Sequence, residues 1–306
     1  MIEVENVSKS YGSIQALRDI SFKVDAGEIV GLLGPNGAGK STAIKIITGY
    51  LQPDSGSVQV DELDVLTQTR EVQARLGYLP ENTPLYPELS VQSYLRLMAD
   101  LREIPPGKQL PLISQAIYAT GLEEYLTRPI AYLSKGLRQR VGLAQAIFHQ
   151  PKLIILDEPT VGLDPTQVVE MRNLIRRLAE QSTILFSSHI LSEVEALCDR
   201  VIVIMNGQVR ADAHLDELSA SEDVILVLQE KESKVKKLLT LLDGVRKVES
   251  FNTFDGYPAY RVEGKKKTDL SPAIYNLARE HEWPLRELRR DVRTLETVFN
   301  ELATAA

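Results

Sequence analysis

The stretch that decides the fold of this 306-residue chain reads Gly34-Pro35-Asn36-Gly37-Ala38-Gly39-Lys40-Ser41-Thr42. It fits the spacing GxxxxGK[ST] and follows the apolar run Ile29–Leu33, which is typical of a strand buried on both faces. A helical pattern continues from it to about Thr48. Glycines let backbone N–H groups turn toward an anion, and a helix N-terminus favours negative charge. We therefore expect this loop to cradle phosphate groups, with Lys40 as a point charge and the Ser41 hydroxyl as a ligand of Mg²⁺.

Two carboxylates end a second strongly apolar run. Leu153–Leu156 is followed directly by Asp157 and Glu158. Charges at the end of a buried strand cost free energy unless a cation or a reacting group lies nearby. With a phosphate loop upstream, the pattern predicts that Asp157 binds Mg²⁺ and that Glu158 polarises an attacking water as general base.

The order of the predicted elements is typical of an α/β fold with a mostly parallel sheet. Alternating apolar runs at Ile2–Val7 and Ile20–Val24 predict antiparallel strands that open the chain. Residues from about 84 to 145 have mostly helical spacing, which predicts a helical insertion. These patterns place a first domain at residues 1–215. Its later predicted strands are Lys152–Leu156, Thr183–Ser187 and Arg200–Met205.

A smaller second domain is expected at residues 222–306. The polar segment Asp212–Ser221 has the composition of a linker. After it the patterns follow the order βαββαβ and end with a helix at Leu295–Leu302, which suggests a small α+β, ferredoxin-like unit. The apolar spacing of this last helix suits packing either into the domain's own core or against a second copy of the chain.

Composition excludes several classes of protein. Hydrophobic residues make up 43% and charged residues 25%, as in soluble globular proteins. The formal net charge is −7 and the short basic runs are interleaved with acids, so no nucleic-acid partner is expected. Cys198 is the single cysteine, which excludes an intrachain disulfide and predicts a buried structural thiol. Without a secretion signal or an apolar run of about 20 residues, the chain is expected in the cytoplasm.

The residues from Ile2 to about Val209 resemble the nucleotide-binding domain of ABC transporters, a branch of the P-loop NTPases. Leu133-Ser134-Lys135-Gly136-Leu137 resembles the LSGGQ signature of that family. The resemblance implies that Ser134 and Gly136 close over the γ-phosphate of ATP held by a second copy, so that two chains build each active site. Lys135 replaces the first signature glycine, and Leu137 replaces the usual glutamine. These two departures put the fine tuning of the active site in doubt, but not hydrolysis itself.

Further positions match the family's motifs. Tyr11 matches the aromatic residue that stacks on adenine, and Asp164 matches the D-loop that joins the two sites. His189, after Phe186-Ser187-Ser188, matches the switch histidine that contacts the γ-phosphate. The resemblance thus implies ATP and Mg²⁺ as cofactors, with catalytic roles for Glu158 and His189.

Glu81 departs from the family pattern. It stands where the family usually has the Q-loop glutamine. Its carboxylate can still meet Mg²⁺ or the attacking water, and it adds a negative charge beside the γ-phosphate. We keep both interpretations open: a tolerated isostere, or a special catalytic role.

Within the family, three stretches look like the ABC-2 export branch, including the gliding-motility and multidrug export ATPase subunits. They are Gly77–Pro87, the lysine-bearing signature and Leu295–Phe299. This implies a homodimer, or a pair with a second ATP-binding subunit, peripheral to the inner face of the cell membrane through an integral membrane partner. The alternative is a non-transport ABC ATPase acting on a soluble macromolecule. A binding module without ATPase activity would lack Lys40 or one of the two strand-end carboxylates, and all three are present.

Overall fold

The computed structural model describes residues 1–219, 223–229, 234–265, 268–291 and 294–304. The chain divides into two compact units, and the boundary lies between Leu215 and Asp216. Residues 302–304, at the end of the last helix, group with the first unit, and the rest of that helix belongs to the second. The predicted start of that domain, at residue 222, lies outside the described residues.

Two sheets form the framework of the first unit. Four strands make an antiparallel sheet in the order β2-β1-β4-β5, and six make a sheet in the order β10-β9-β3-β8-β7-β6. In the second sheet only β10 runs antiparallel to its neighbour; the others are parallel. The strands are β1 Ile2–Tyr11, β2 Ile14–Val24, β3 Ile29–Leu33, β4 Ser55–Val60, β5 Leu63–Asp64, β6 Leu76–Leu79, β7 Leu153–Asp157, β8 Thr183–Ser188, β9 Arg200–Met205 and β10 Gln208–His214.

The helices of the first unit surround the parallel sheet and include the predicted insertion. They are α1 Lys40–Ile47, α2 Thr69–Arg75, α3 Val91–Leu101, α4 Pro106–Thr120, α5 Lys135–Ile147, α6 Pro165–Ala179 and α7 Leu191–Leu197. The core strand β7 is buried along its whole length, which explains its continuous apolar run. No helix in the described part of the chain is both long enough and apolar enough to span a bilayer.

The prediction of a linker at Asp212–Ser221 is wrong in its described part. Residues up to His214 belong to β10, and the short helix α8 follows at Leu215–Ser219. β10 is an edge strand with many exposed side chains, so its polar composition resembles that of a loop. Its pairing with β9 is reinforced by an ion pair between Arg200 Nε and Asp212 Oδ1, 2.7 Å apart.

The second unit has the predicted βαββαβ order. Its four strands form one antiparallel sheet in the order β12-β13-β11-β14, which is the ferredoxin-like arrangement. Its core contains Leu226, Ile274 and Trp283. The elements are β11 Val224–Leu228, α9 Val235–Thr240, β12 Val245–Asn252, β13 Pro258–Gly264, α10 Ser271–Glu280, β14 Leu285–Arg290 and α11 Leu295–Thr304.

Candidate functional site

The candidate site lies where four neighbouring parallel strands end. In the order β3, β8, β7 and β6, each strand leads at its carboxyl end into a segment singled out from the sequence. The glycine loop follows β3, His189 follows β8, Glu158 follows β7, and Glu81 lies two residues after β6. Because carboxyl ends of parallel strands meet at one edge of a sheet, segments far apart in the chain come together.

The glycine loop has a conformation that ordinary side chains disfavour. Gly37 and Gly39 have φ angles of 80° and 110°. At Gly34 an added Cβ would lie 2.2 Å from the backbone oxygen of Ile204, so only glycine fits against β9 there. Gly39 precedes α1 and supplies no side-chain cap. The first N–H groups of α1 therefore remain available to an anion.

Lys40 is a buried cation, with 5% of its surface exposed. Its Nζ donates to the backbone oxygen of Gly34 at 2.7 Å and lies 3.3 Å from Glu158 Oε1. Charges this deeply buried require partners of opposite sign or hydrogen bonds. The loop therefore holds its ammonium group at a fixed place, at the wall that a phosphate would contact.

Asp157 receives two hydroxyl hydrogen bonds on one oxygen. Ser41 Oγ donates to Asp157 Oδ1 at 3.2 Å, and Ser187 Oγ donates to the same atom at 2.6 Å. A hydroxyl and a carboxylate side by side are oxygen ligands of the type Mg²⁺ uses together with substrate phosphates. Among the described residues no group of three His, Cys, Asp or Glu side chains is placed to hold a metal by itself. The arrangement thus fits a Mg²⁺ ion that is held jointly with a nucleotide.

Glu158 sits between two basic groups. Its Oε2 lies 2.9 Å from Nδ1 of His189, and its Oε1 faces Lys40. Because an ionised carboxylate only accepts hydrogen bonds, Nδ1 of His189 carries the hydrogen of this contact. Glu158 also has a φ of 49°, a left-handed conformation that is uncommon outside glycine and that clusters at functional sites. The backbone thus turns sharply at the end of β7 and presents the carboxylate to the cavity.

A cavity of about 360 Å³ is lined by Lys40, Ser41, Glu158 and His189, whereas Asp157 is not among its lining residues. Its volume lies within the range of small-ligand sites. Glu81, which is exposed, lies at this cavity together with Glu158 and His189. The lining residues are Ala16, Asn36, Gly37, Ala38, Gly39, Lys40, Ser41, Thr42, Glu81, Glu158, Val161 and His189.

Seven of the residues singled out from the sequence do not line this cavity in one chain. Gly34, Pro35 and Asp157 lie within two positions in the chain of residues that do line it, and the other four lie elsewhere. Tyr11 lies at the end of β1 and is 48% exposed. Ser134 precedes α5, where its Oγ accepts a hydrogen bond from Leu137 N. Gly136 is buried in the first turn of that helix. Asp164 precedes α6, and its carboxylate accepts a hydrogen bond from Gln167 N at 2.9 Å.

Lys135 does not point to the cavity either. Its Nζ lies so close to Gly162 that a Cβ added there would be 2.1 Å away from it. Cys198 is partly buried, rather than fully buried as expected, with its sulfur beside Gly31 in β3. Burial and the neighbouring Asp199 raise the pKa of this thiol, which suits a structural role.

Ser187 is the site residue that sequence reasoning missed. It is fully buried, and its Oγ donates to Asp157 while accepting from the backbone N–H of Glu158 at 2.9 Å. The available signal was a pair of serines at the end of an otherwise apolar strand. A single hydroxyl thus orients both carboxylate-bearing residues.

Replacing Ser187 with alanine should remove the partner of the buried N–H of Glu158 and one of the two hydroxyl donors to Asp157 Oδ1, which keeps Ser41. Each unsatisfied buried group costs about 1–3 kcal/mol. We expect a lower melting temperature and, in the folded protein, a higher Mg²⁺ concentration for half-maximal ATP turnover. Ser188→Ala is the matched control, because Ser188 Oγ instead donates to Glu193. An equal Mg²⁺ requirement in both variants would contradict the role of Ser187.

Comparisons with known proteins show the family of this chain. The family model described as ABC transporter matches residues 17–161. The chain is 40% identical to the ABC transporter ATP-binding protein NatA of Bacillus subtilis (strain 168), over 68% of this chain and 86% of that protein. It is 30% identical to YhcH, an uncharacterized ABC transporter ATP-binding protein of the same organism, over 99% and 95% of the two chains. Among solved structures, the dimeric structure of MJ0796, a bacterial ABC transporter cassette, superposes with a TM-score of 0.65 at 25% identity, covering 70% of this chain and 99% of that one.

Proposed function

Because this chain belongs to the ABC transporter ATP-binding proteins and hydrolyses ATP, we propose that it couples MgATP hydrolysis at a dimer interface to transport, in the export direction, by a separate membrane subunit. Glu158 between Lys40 and His189 is the observation that carries the catalytic part of this proposal. The likeness of the signature and C-terminal stretches to the ABC-2 export branch supports the proposed export direction.

In the proposed mechanism the chain's own residues bind the nucleotide and orient and deprotonate the attacking water. The N–H groups of the glycine loop and Lys40 would hold the phosphates, while Ser41 and Asp157 would hold Mg²⁺, which would neutralise phosphate charge when bound. Glu158 orients the attacking water and accepts its proton. His189 keeps the Glu158 carboxylate aimed at the cavity through its Nδ1–H, and Glu81 supplies a second carboxylate at the same cavity.

The position of the signature supports a site shared by two chains. Ser134 and Gly136 do not line the cavity of their own chain, yet they stand at the N-terminus of a 13-residue helix. As N-cap, Ser134 uses an oxygen lone pair, so its hydroxyl hydrogen remains free to donate to a phosphate. We infer that this helix end faces the γ-phosphate held by the partner copy, with the partner's site completed in the same way.

Mixing two inactive variants should restore activity if each site uses two chains. Lys40→Met removes the phosphate ligand, and Ser134→Asp keeps a good helix cap while placing a negative charge at the γ-phosphate. Each variant alone is expected to lose turnover. In a 1:1 mixture, a heterodimer holds one site with both Lys40 and Ser134 intact, so ATP-dependent association and turnover should reappear. A mixture as inactive as its components would contradict a shared site.

We propose that the segment between β6 and α3 forms part of the surface that meets the membrane subunit. It begins beside Glu81, and Tyr86 within it is 45% exposed. The ring of Tyr86 packs on Tyr94 of α3, whose hydroxyl donates to Gln145 of α5 at 2.5 Å. A displacement of this segment by the membrane subunit would therefore be transmitted both to the cavity and to α5, the helix that begins within the signature.

A photo-cross-linking residue at Tyr86 should capture the integral membrane partner in intact cells. Placement of the same residue at Tyr118 of α4 is the control, since Tyr118 is still more exposed. The expected product combines this chain with a multi-span membrane protein and forms at position 86 only. Equal capture at both positions, or none at 86, would count against this docking segment.

The remaining features of the proposal concern location and the second unit. With no spanning helix among the described residues, we propose a cytoplasmic protein held at the inner face of the membrane by its partner. The ferredoxin-like unit includes none of the cavity-lining residues, so we propose that it is an accessory domain that ATP binding does not require.

A further inference from the structure

The ferredoxin-like sheet ends in an exposed edge strand. In the described part of this sheet β12 pairs only with β13. Of the residues in β12, Val248 alone is buried, and Phe251 is 44% exposed. A long free edge offers unpaired N–H and C=O groups to another strand, and folded proteins usually cover or blunt such edges.

The hairpin that joins β12 to β13 determines which backbone groups point outward. Thr253 N donates to the backbone oxygen of Tyr257 at 2.8 Å, which closes the hairpin with a hydrogen-bonded pair. In antiparallel strands, hydrogen-bonded and non-hydrogen-bonded pairs alternate. The register therefore directs the backbone groups of alternate residues to the free edge: Val248, Ser250 and Asn252.

We propose that this edge binds the same edge of a second copy of the chain, antiparallel about a two-fold axis at Val248, and so joins two ferredoxin-like sheets into one of eight strands. In this register Val248 faces its own symmetry mate in a hydrogen-bonded pair. Lys247 then lies opposite Glu249 of the second copy, and Glu249 opposite its Lys247. These are non-hydrogen-bonded pairs, in which side chains approach most closely.

β12 pairs in continuous register from Lys247 to Asn252, so the proposed pairs about Val248 lie in its regular part. The strand is irregular between Val245 and Lys247, and Val245 packs against the core of its own unit. Shifting the axis to Glu249 would place two glutamates opposite each other, and shifting it to Ser250 would form no ion pair. Opposite charges directly across a strand pair stabilise it and like charges destabilise it. The charges of β12 thus select one self-complementary register.

The other edge of the sheet suits such a pairing less well. An equivalent two-fold pairing of β14 about Leu288 would place Glu287 opposite Arg289 of the second copy, but it would also place Arg286 opposite Arg290, twice. Moreover, Arg290 is already paired with Asp269 at 2.7 Å, and Arg286 lies 3.9 Å from the centre of the Tyr257 ring. Within β12, by comparison, Lys247 and Glu249 pair with each other at 2.5 Å on the exposed surface, where exchange for the same residues of a second copy costs little.

Such a contact would need no nucleotide, because it lies in the unit without site residues. ATP sandwiched between two copies is lost at each turnover, whereas an edge contact would persist. It would raise the effective concentration of one copy for the other and make reassembly an intramolecular step. Lys236 and Lys237 of α9 lie near this edge and share a groove with Ser250. Because these charges would affect the association of two copies, it should be tested at about 0.15 M salt, where exposed charges more than about 8 Å apart are screened.

Disulfide trapping between two different variants tests the register. In a Cys198→Ser background, full-length chains with Lys247→Cys and with Glu249→Cys are oxidised separately and as a mixture, without nucleotide. Only the mixture should yield a cross-linked dimer efficiently, since position 247 faces position 249 and neither faces itself. A mixture of Lys247→Cys with Phe251→Cys is the register control. No product in the first mixture, or equal product in the control, would overturn the proposal.

Charge reversal provides an independent readout by sedimentation. Lys247→Glu and Glu249→Lys should each weaken nucleotide-free association by about tenfold or more, and a 1:1 mixture of the two should regain it as a heterodimer. An ion pair within one chain cannot produce that rescue. Arg286→Glu on β14 should change nothing. Absence of rescue would overturn the proposal, while ATP-dependent association of the Glu158→Gln variant, measured in parallel, reports separately on the nucleotide sandwich.

Discussion

Replacing Glu158 with glutamine should lower steady-state ATP turnover by about 10²- to 10⁴-fold, the usual contribution of a general base. Glutamine keeps the size of the side chain but cannot accept a proton from water. The groups that would hold the phosphates, Lys40 and the glycine loop, do not change. We therefore expect the variant to bind MgATP and to accumulate as an ATP-bound dimer, visible by size-exclusion chromatography with nucleotide in the eluted peak.

Two matched variants sharpen this prediction. Glu88→Gln removes an exposed carboxylate that does not line the cavity and should turn over ATP at the parental rate. Glu81→Gln restores the residue usual in the family, and its rate distinguishes a tolerated isostere, with unchanged turnover, from a special catalytic role, with reduced turnover. If Glu158→Gln itself turned over ATP like the parent, the assignment of the general base would be wrong.

Replacing Lys40 with methionine should weaken ATP binding by about 10²- to 10³-fold. Methionine fills a similar volume, so the loop retains its packing, but the charge-assisted hydrogen bonds to phosphate are lost, each worth about 1.5–3 kcal/mol. The Glu158 carboxylate, 3.3 Å from the ammonium and itself buried, also loses a compensating cation, although His189 remains beside it. Titration with a fluorescent ATP analogue measures the affinity directly.

Lys45→Met is the control for this experiment. Lys45 lies in the last turn of the same helix, α1, and its side chain is exposed. The same charge is removed without touching the cavity, so affinity should stay near that of the parent. Comparable losses in both variants would mean that net charge, rather than the buried position of Lys40, accounts for the effect.

The phosphate loop and the strand-end carboxylates could be predicted from the sequence because each depends on residues that are neighbours in the chain. The loop Gly34–Thr42 contains its own glycine spacing and its helix start, and Asp157 with Glu158 directly ends a buried strand. The assignment to the ABC family rests on the same local motifs, and relatives over nearly the whole chain confirm it. The α/β first unit and the βαββαβ order of the second were likewise visible as periodicity.

Strands whose residue composition is not typical of a strand could not be predicted. The pattern predicts a linker over the last three residues of β10, Asp212–His214, because an exposed antiparallel edge strand carries polar side chains like those of a loop. Strand β1 extends to Tyr11 and strand β2 begins at Ile14, so both strands of this hairpin are longer than the apolar runs that predicted them. Backbone pairing with a neighbouring strand decides such boundaries, and pairing leaves little trace in the local pattern.

By itself, then, the sequence determined the family and ATP binding, and it supplied the predictions of which residues carry the chemistry, since these depend on short motifs with fixed spacing. Only the tertiary structure decided that Ser187 ties Asp157 to Glu158, that His189 rather than solvent pairs with Glu158, and that the signature stands away from the cavity of its own chain. It alone also placed Lys247 and Glu249 on a free edge. These relations join residues that are distant in the chain, or depend on strand order, and sheet topology determines both.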